Sequence, residues 1–359
     1  MQILDRPSIT DRLFDHCSPA TILRVKRTCK LAETAVKLYM STAYDVDRHL
    51  RRFVRDPVGL RNLMRRTGAI ISGSFALQVM DRTVYPEGDL DLYVFQRDYI
   101  EIGNWFLRHS GFPYSFQPFP FQSPDFERAL FSKHESQPEY DIPSISGVAN
   151  FTCMNDEDGS DRKVQIIVAK RAPIQCVLEF HSTVVMNVVT HAAAYSFYPK
   201  ATFEESRSLI CNTKVRNAHI AFAKYARRGF QMLATLGPGE MDSPSSSLYF
   251  CDRWANDDRS WVLPFDTQGI LQHPLSFTTD SLSFDPMEMN GWKLEVDVDD
   301  GQQSIKFGVF VSALLHFGYV GPQDFVNYMV PFLIKQGSIE YQLREQLGQE
   351  HWSWYSSHF

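Results

Sequence analysis

Cysteine is sparse and scattered. The six residues, Cys17, Cys29, Cys153, Cys176, Cys211 and Cys251, include no CxxC pair, which fits neither a zinc site nor a dense disulfide framework. Thiols used in this way predict a reducing compartment, the cytoplasm or the nucleus. Long apolar runs are missing as well. The longest, near Val184 to Tyr198 and Phe307 to Val320, are broken by His191, Ser196 and His316 and fall short of a membrane span, so no membrane is expected among the partners. Met1 to Pro7 is polar, without a basic start leading into an apolar stretch, and no secretory signal is expected there. Nor is there an internal repeat or a long low-complexity tract.

What is present is the composition of a folded protein, 44% hydrophobic, 13% aromatic and 22% charged over 359 residues. Such a chain can bury enough apolar surface to offset the entropy of ordering. Its length exceeds that of one compact domain and predicts two lobes. Charge is unevenly spread: residues 1–70 carry 14 Lys and Arg against 7 Asp and Glu, a net of +7, and the remainder 22 against 35, a net of −13. A basic N-terminal arm on an acidic body can touch nucleic acid or an acidic partner, and it can equally be a solvated helix face.

Apolar residues recur at three and four positions over residues 8–66 with no glycine before Gly59, which predicts a helical N-terminal region over residues 1–66. Ser18-Pro19 is a start signal, because the hydroxyl can cap free amides and proline at the first helical position loses no hydrogen bond. Asp56-Pro57 marks a break before a second basic helix that should end near Gly68. The period then becomes strand-like. Ala69-Ile70-Ile71 precedes Ser72-Gly73-Ser74, a helix is expected from about Phe75 to Asp81, and Pro86-Glu87-Gly88 turns the chain into a strand over Asp89 to Phe95. Alternation in that strand puts Asp89 and Asp91 on one face and sends Leu90, Leu92 and Val94 into the core.

Further on, residues 99–110 look helical and Phe112 to Ser123 an irregular aromatic loop. Strands are expected over Ser146 to Met154 and Lys163 to Val168. They flank Asp156-Glu157-Asp158-Gly159-Ser160-Asp161, which has the composition of a hairpin turn; a calcium loop is the alternative, with glycine and glutamate misplaced for an EF-hand. From Ile174 to Phe230 the pattern reads as helix, with Gly229 placed to stop it. Residues 237–305 read as a loop-rich insertion with strands near Ser260 to Phe265 and Trp292 to Val298, and Phe307 to Leu347 as helix again.

Two carboxylates on one strand face are a natural seat for a divalent cation, and with a third acid from a neighbouring strand they hold the Mg²⁺ pair that clamps a transferring phosphate. Gly73-Ser74 supplies a companion element: glycine lets backbone approach a phosphate closely, and the following helix offers free amides. Lys224 and Arg228, four apart, can neutralise a triphosphate or an RNA backbone, or simply favour a helix C-terminus. His181 reads either as a general acid or base or as a hydrogen-bonded structural histidine.

Gly73-Ser74, fourteen intervening residues and Asp89-Leu90-Asp91-Leu92 resemble the signature of the nucleotidyltransferase superfamily. Phe180-His181-Ser182-Thr183 and Lys224-Tyr225-Ala226-Arg227-Arg228-Gly229-Phe230 resemble motifs of a fungal group of nucleotidyltransferase-like proteins that carries no established activity. The resemblance implies a mixed-sheet α/β (α+β) core over residues 67–172 and a helical C-terminal lobe over 173–359. It also implies Mg²⁺ at Asp89 and Asp91, phosphates at Gly73, Ser74, Lys224 and Arg228, a nucleoside triphosphate as substrate, and RNA or a small molecule as acceptor. The third acid it requires falls on Gln165, a neutral amide, which leaves two routes: a one-metal site, or an acid supplied by Asp161 or Glu179. Pro7, Ile9, Leu13-Phe14, Ser18-Pro19, Ile22-Leu23, Val25 and Cys29 resemble a divergent F-box, which implies docking to a ubiquitin-ligase adaptor; helices packed on the core would show the same spacing. The expectation is therefore either a nucleotidyltransferase or a catalytically degenerate binding module.

Overall fold

The structure, a computed structural model, describes residues 4–120, 122–129, 142–154, 161–270, 285–297 and 301–348. Three helices come first: α1 (Pro7–Asp15), α2 (Pro19–Lys26) and α3 (Lys30–Ala43). Ser18 caps α2 as its position foretells, its oxygen accepting from the Thr21 amide. Phe14, Ile22, Val36 and Tyr39 close a small core among them. Helices α4 (Val46–Leu50) and α5 (Pro57–Thr67) follow, and α5 stops at Gly68, which takes the left-handed conformation at φ 67°.

Next come β1 (Ile70–Ser72), α6 (Gly73–Asp81), β2 (Leu90–Phe95), α7 (Tyr99–Arg108), β3 (Ser115–Gln117), the short α8 (Phe126–Ala129), β4 (Ile145–Met154) and β5 (Asp161–Ala169). Of the turn expected over Asp156 to Asp161, and with it the calcium alternative, all but Asp161, the first residue of β5, lies outside the described residues. After α9 (Pro173–Leu178) the chain forms β6 (Asn187–Val189), β7 (Ala193–Ser196) and β8 (Arg207–Leu209), then α10 (Ala218–Arg227), β9 (Gln231–Leu233), α11 (Pro238–Met241), β10 (Asp252–Trp254) and β11 (Trp261–Pro264). It ends with β12 (Gly291–Val296), β13 (Gln303–Lys306), β14 (Gly308–Phe310), β15 (Tyr319–Gly321) and the long α12 (Gln323–Gln346).

Among the described residues the central element is an eight-stranded mixed sheet in the order β11-β7-β6-β1-β2-β5-β4-β3, in which β2 and β5 run parallel and the other neighbours antiparallel. The protein is thus an α+β molecule with a large mixed sheet and several helices. Both faces of the sheet are covered. Leu90, Leu92 and Val94 of β2 join Phe75, Val79, Ile102 and Phe106 of α6 and α7 on one side, while Tyr93 and Phe95 join Val177, Phe180 and Tyr225 on the other. A strand buried this way has no wet face, except where its first residues run out beyond the cover.

Two expectations fail here. Residues 173–359 are not a helical lobe: of the stretch Ile174 to Phe230, only α9 and α10 are α-helical, and β6 and β7 extend the central sheet. Their apolar residues, Val188, Val189, Ala194 and Tyr195, are buried on both faces, and a doubly covered strand shows the same unbroken apolar run as a buried helix. Likewise Phe307 to Gly321 is a β14–β15 hairpin rather than helix, with Val309 opposite Val320; helix begins only at Gln323. The insertion at 237–305 does contain the two expected strands, β11 and β12, and β11 belongs to the central sheet.

Candidate functional site

Asp89 and Asp91 sit at the N-terminal end of β2, Asp89 just before its first residue, in a cleft that Lys224 and Tyr225 of α10 also line. Alternation does what the sequence implies: both line one open cleft of about 340 Å³, together with Gly73, Ser74, Lys163, Gln165, His181 and Lys224. The antiparallel pairing of Ser72 with Asp91 brings the first turn of α6 against the second aspartate. Gly73 is at φ +68°, and a Cβ there would stand 2.7 Å from Asp91 Oδ2; only glycine permits this backbone and this approach together. Ser72, at the N-cap position, spends its hydroxyl on the Asn187 carbonyl at 2.6 Å and caps nothing. The helix starts two residues earlier than expected, at Gly73, and no side chain caps its first turn.

The two aspartates differ in environment. Asp89 is about a third exposed and pairs with Lys163, Nζ to Oδ2 at 3.4 Å. Asp91 Oδ1 is shut away from solvent and has no hydrogen-bond partner. Burial, reinforced by the neighbouring Asp89 charge, raises the Asp91 carboxyl to about 7, against the pull of Lys163 and Lys224. An acid in that state is half neutral at physiological pH, and a cation reaching it would be strongly favoured.

Gln165 lies beside Asp91 in the parallel β2–β5 register, on the same wall of the cleft. It is buried, and its amide donates to Asn150 Oδ1 at 2.8 Å from the opposite strand. Neither alternative acid takes its place. Glu179 is occupied with the amide and hydroxyl of Ser144, at 3.1 and 2.7 Å, and neither Glu179 nor Asp161 lines the cleft. Among the described residues no group of three or more His, Cys, Asp or Glu side chains is placed to hold a metal. The carboxylates on the cleft wall are Asp89, Asp91 and Glu87, the last in the turn that precedes β2.

Of the expected basic pair, Lys224 lines the cleft and Arg228 does not. Arg228 follows the last residue of α10, and its guanidinium stacks 3.5 Å from the ring centre of Tyr85 and 5.2 Å from that of Tyr225. Burial lowers the Lys224 ammonium, helped by Arg228 and opposed by the aspartates. His181 reaches the cleft wall, but its Nδ1 is held 2.7 Å from Ser182 Oγ and its ring packs between Phe222 and Tyr225. Burial pushes it down to about 4, so it is a neutral imidazole near pH 7 and no proton donor. Alternation along the Lys163 to Val168 strand puts Lys163 on the same face as Gln165, but gives it no role. Sequence reasoning missed Asn150, whose part depends on strand pairing across a turn, and the Tyr85 stack, which local pattern does not encode.

Comparison with known proteins adds no relative: no family model, no curated protein and no solved structure matches the chain. No helix of the described residues is long and apolar enough to cross a membrane.

Proposed function

We propose that the cleft is a nucleotidyltransferase-type site that binds a nucleoside triphosphate with one Mg²⁺. The observation that carries this reading is Asp89 and Asp91 together on the wall of one open cleft, beside an uncapped helix start. The cation fits on two counts: Asp91 Oδ1 is a buried oxygen without a partner, and Gly73 leaves space at Asp91 Oδ2 that a side chain would fill. Bound there by Asp89 and Asp91, Mg²⁺ would neutralise phosphate charge. Gly73 and Ser74 would meet the phosphates with backbone amides, and Lys224 would add a cation from the facing helix. Arg228 would act through Tyr225, by holding α10 in place.

Two versions of the reading differ in the step after binding. In one, the chain transfers the nucleotidyl group to RNA or a small-molecule acceptor; in the other it binds the nucleotide and stops. Gln165 favours the second, because an amide committed to Asn150 supplies neither the charge for a second ion nor a base for the attacking hydroxyl. Pyrophosphate release with ATP, GTP, CTP or UTP and candidate acceptors decides between them. Wild type is expected to release none, and Gln165→Glu to release some; release by the wild type rejects the binding-only version.

A partner surface belongs to the N-terminal helices. Ile9 and Leu13, one turn apart on α1, are 43% and 50% exposed, which favours docking of a ubiquitin-ligase adaptor on that face. Capture of a purified adaptor by the full chain, lost in Leu13→Asp, is the expected result; capture unaffected by the substitution, or none at all, rejects it. The cytoplasmic or nuclear setting is part of the same reading, supported by six cysteines none of which is in a disulfide.

A further inference from the structure

We infer that Lys163 is a built-in counter-cation of this cleft, competing with the divalent ion for Asp89 and limiting the site to one ion. The inference rests on the metal-binding reading of the same cleft. Its basis is the parallel register of β2 and β5. Leu90 pairs with Val164 and Asp91 with Gln165, and Asp89, just before β2, meets the Lys163 ammonium, so each acid has a β5 residue beside it, Lys163 next to Asp89 and Gln165 next to Asp91. Where two ions are to be held, the neighbouring strand should add negative charge. This strand adds one positive and one neutral group instead.

The two neighbours are held very differently. Gln165 is buried and tied to Asn150, whereas Lys163 and Asp89 are each about a third exposed and meet at 3.4 Å. A lysine carries its charge on a flexible four-carbon stem, and an ion pair open to solvent is weak and screened. Lys163 can therefore swing away from Asp89 when a stronger cation arrives. Without a divalent ion, Lys163 pairs with Asp89, and its ammonium offsets part of the negative charge that Glu87, Asp89 and Asp91 bring to the cleft. With one, the ammonium opposes it through space, and a second ion meets both that repulsion and a neutral Gln165.

Titration of the full chain with Mn²⁺ alone, read by the electron paramagnetic resonance of free Mn²⁺, tests this without nucleotide or turnover. Wild type is expected to bind one ion, and Lys163→Met to bind it about tenfold more tightly, equivalent to about 1.4 kcal/mol. Lys163→Arg keeps the charge and is expected to restore the wild-type affinity, which a merely steric role for the side chain would not do. Asp91→Asn is expected to bind none. Equal or weaker binding by Lys163→Met, with wild-type binding intact, overturns the counter-cation while leaving the metal site standing. Absence of Mn²⁺ binding in both wild type and Lys163→Met overturns both.

Discussion

Asp91 shows most clearly how this sequence trades stability for a site. Its carboxyl is raised to about 7 by burial and by Asp89, from an ordinary value of 3.8. Between those values the folded chain holds a proton that the unfolded chain has released, so this group favours folding as pH falls and disfavours it as pH rises toward 7. Replacing Asp91 by Asn removes the penalty. In metal-free buffer at pH 8 the variant is expected to be more stable, by on the order of 2 kcal/mol after allowance for solvent in the cleft. The advantage should shrink to nothing near pH 4. Paired melting curves at pH 4, 6 and 8 check it, and a difference that does not change with pH would contradict the account of Asp91. Gly73 belongs to the same compromise, since a backbone at φ +68° against a carboxylate is tolerable only without a side chain.

At the scale of elements, the helix and strand ends written in single residues were readable in advance. Ser18 caps α2, Gly68 ends α5 in the left-handed conformation, and Gly229, at φ +95°, follows α10. The face of β2 was readable because its first residues run out beyond the cover, and alternation there places Asp89 and Asp91 together. Strands β6 and β7 were not readable, because burial on both sides erases alternation. Nor was the pairing of Gln165 with Asn150, which depends on which strand lies beside β5. The same logic of exposure bears on α1. Its Phe14 is buried with Ile22 and Val36, while Leu13 faces outward, so Leu13→Asp should change stability by no more than about 0.5 kcal/mol. A melting temperature close to wild type is therefore the expected companion to lost adaptor capture, and a large drop would show that Leu13 serves the fold instead.

On the scale of the whole molecule, one sheet gathers residues from both halves of the chain, and hydrogen bonds made by Arg82 and Glu204 help fasten the small N-terminal core to the rest. Arg82, just past α6, donates to the carbonyls of Phe14 and Cys17 at 2.9 and 2.7 Å and to the Tyr39 hydroxyl at 2.6 Å. Glu204 accepts from Ser18 Oγ at 3.0 Å and from the Ala20 amide at 3.3 Å. The cleft lies between the N-terminal ends of β2 and β5 and helix α10, so a ligand seated there would touch segments more than a hundred residues apart in sequence and add to the stability of the whole. The melting temperature with ATP, GTP, CTP or UTP, with and without Mg²⁺, measures that directly. A rise with at least one nucleotide, present only with Mg²⁺ and lost in Asp89→Asn, is the expected result. No rise with any of the four would contradict a nucleotide site at Asp89 and Asp91.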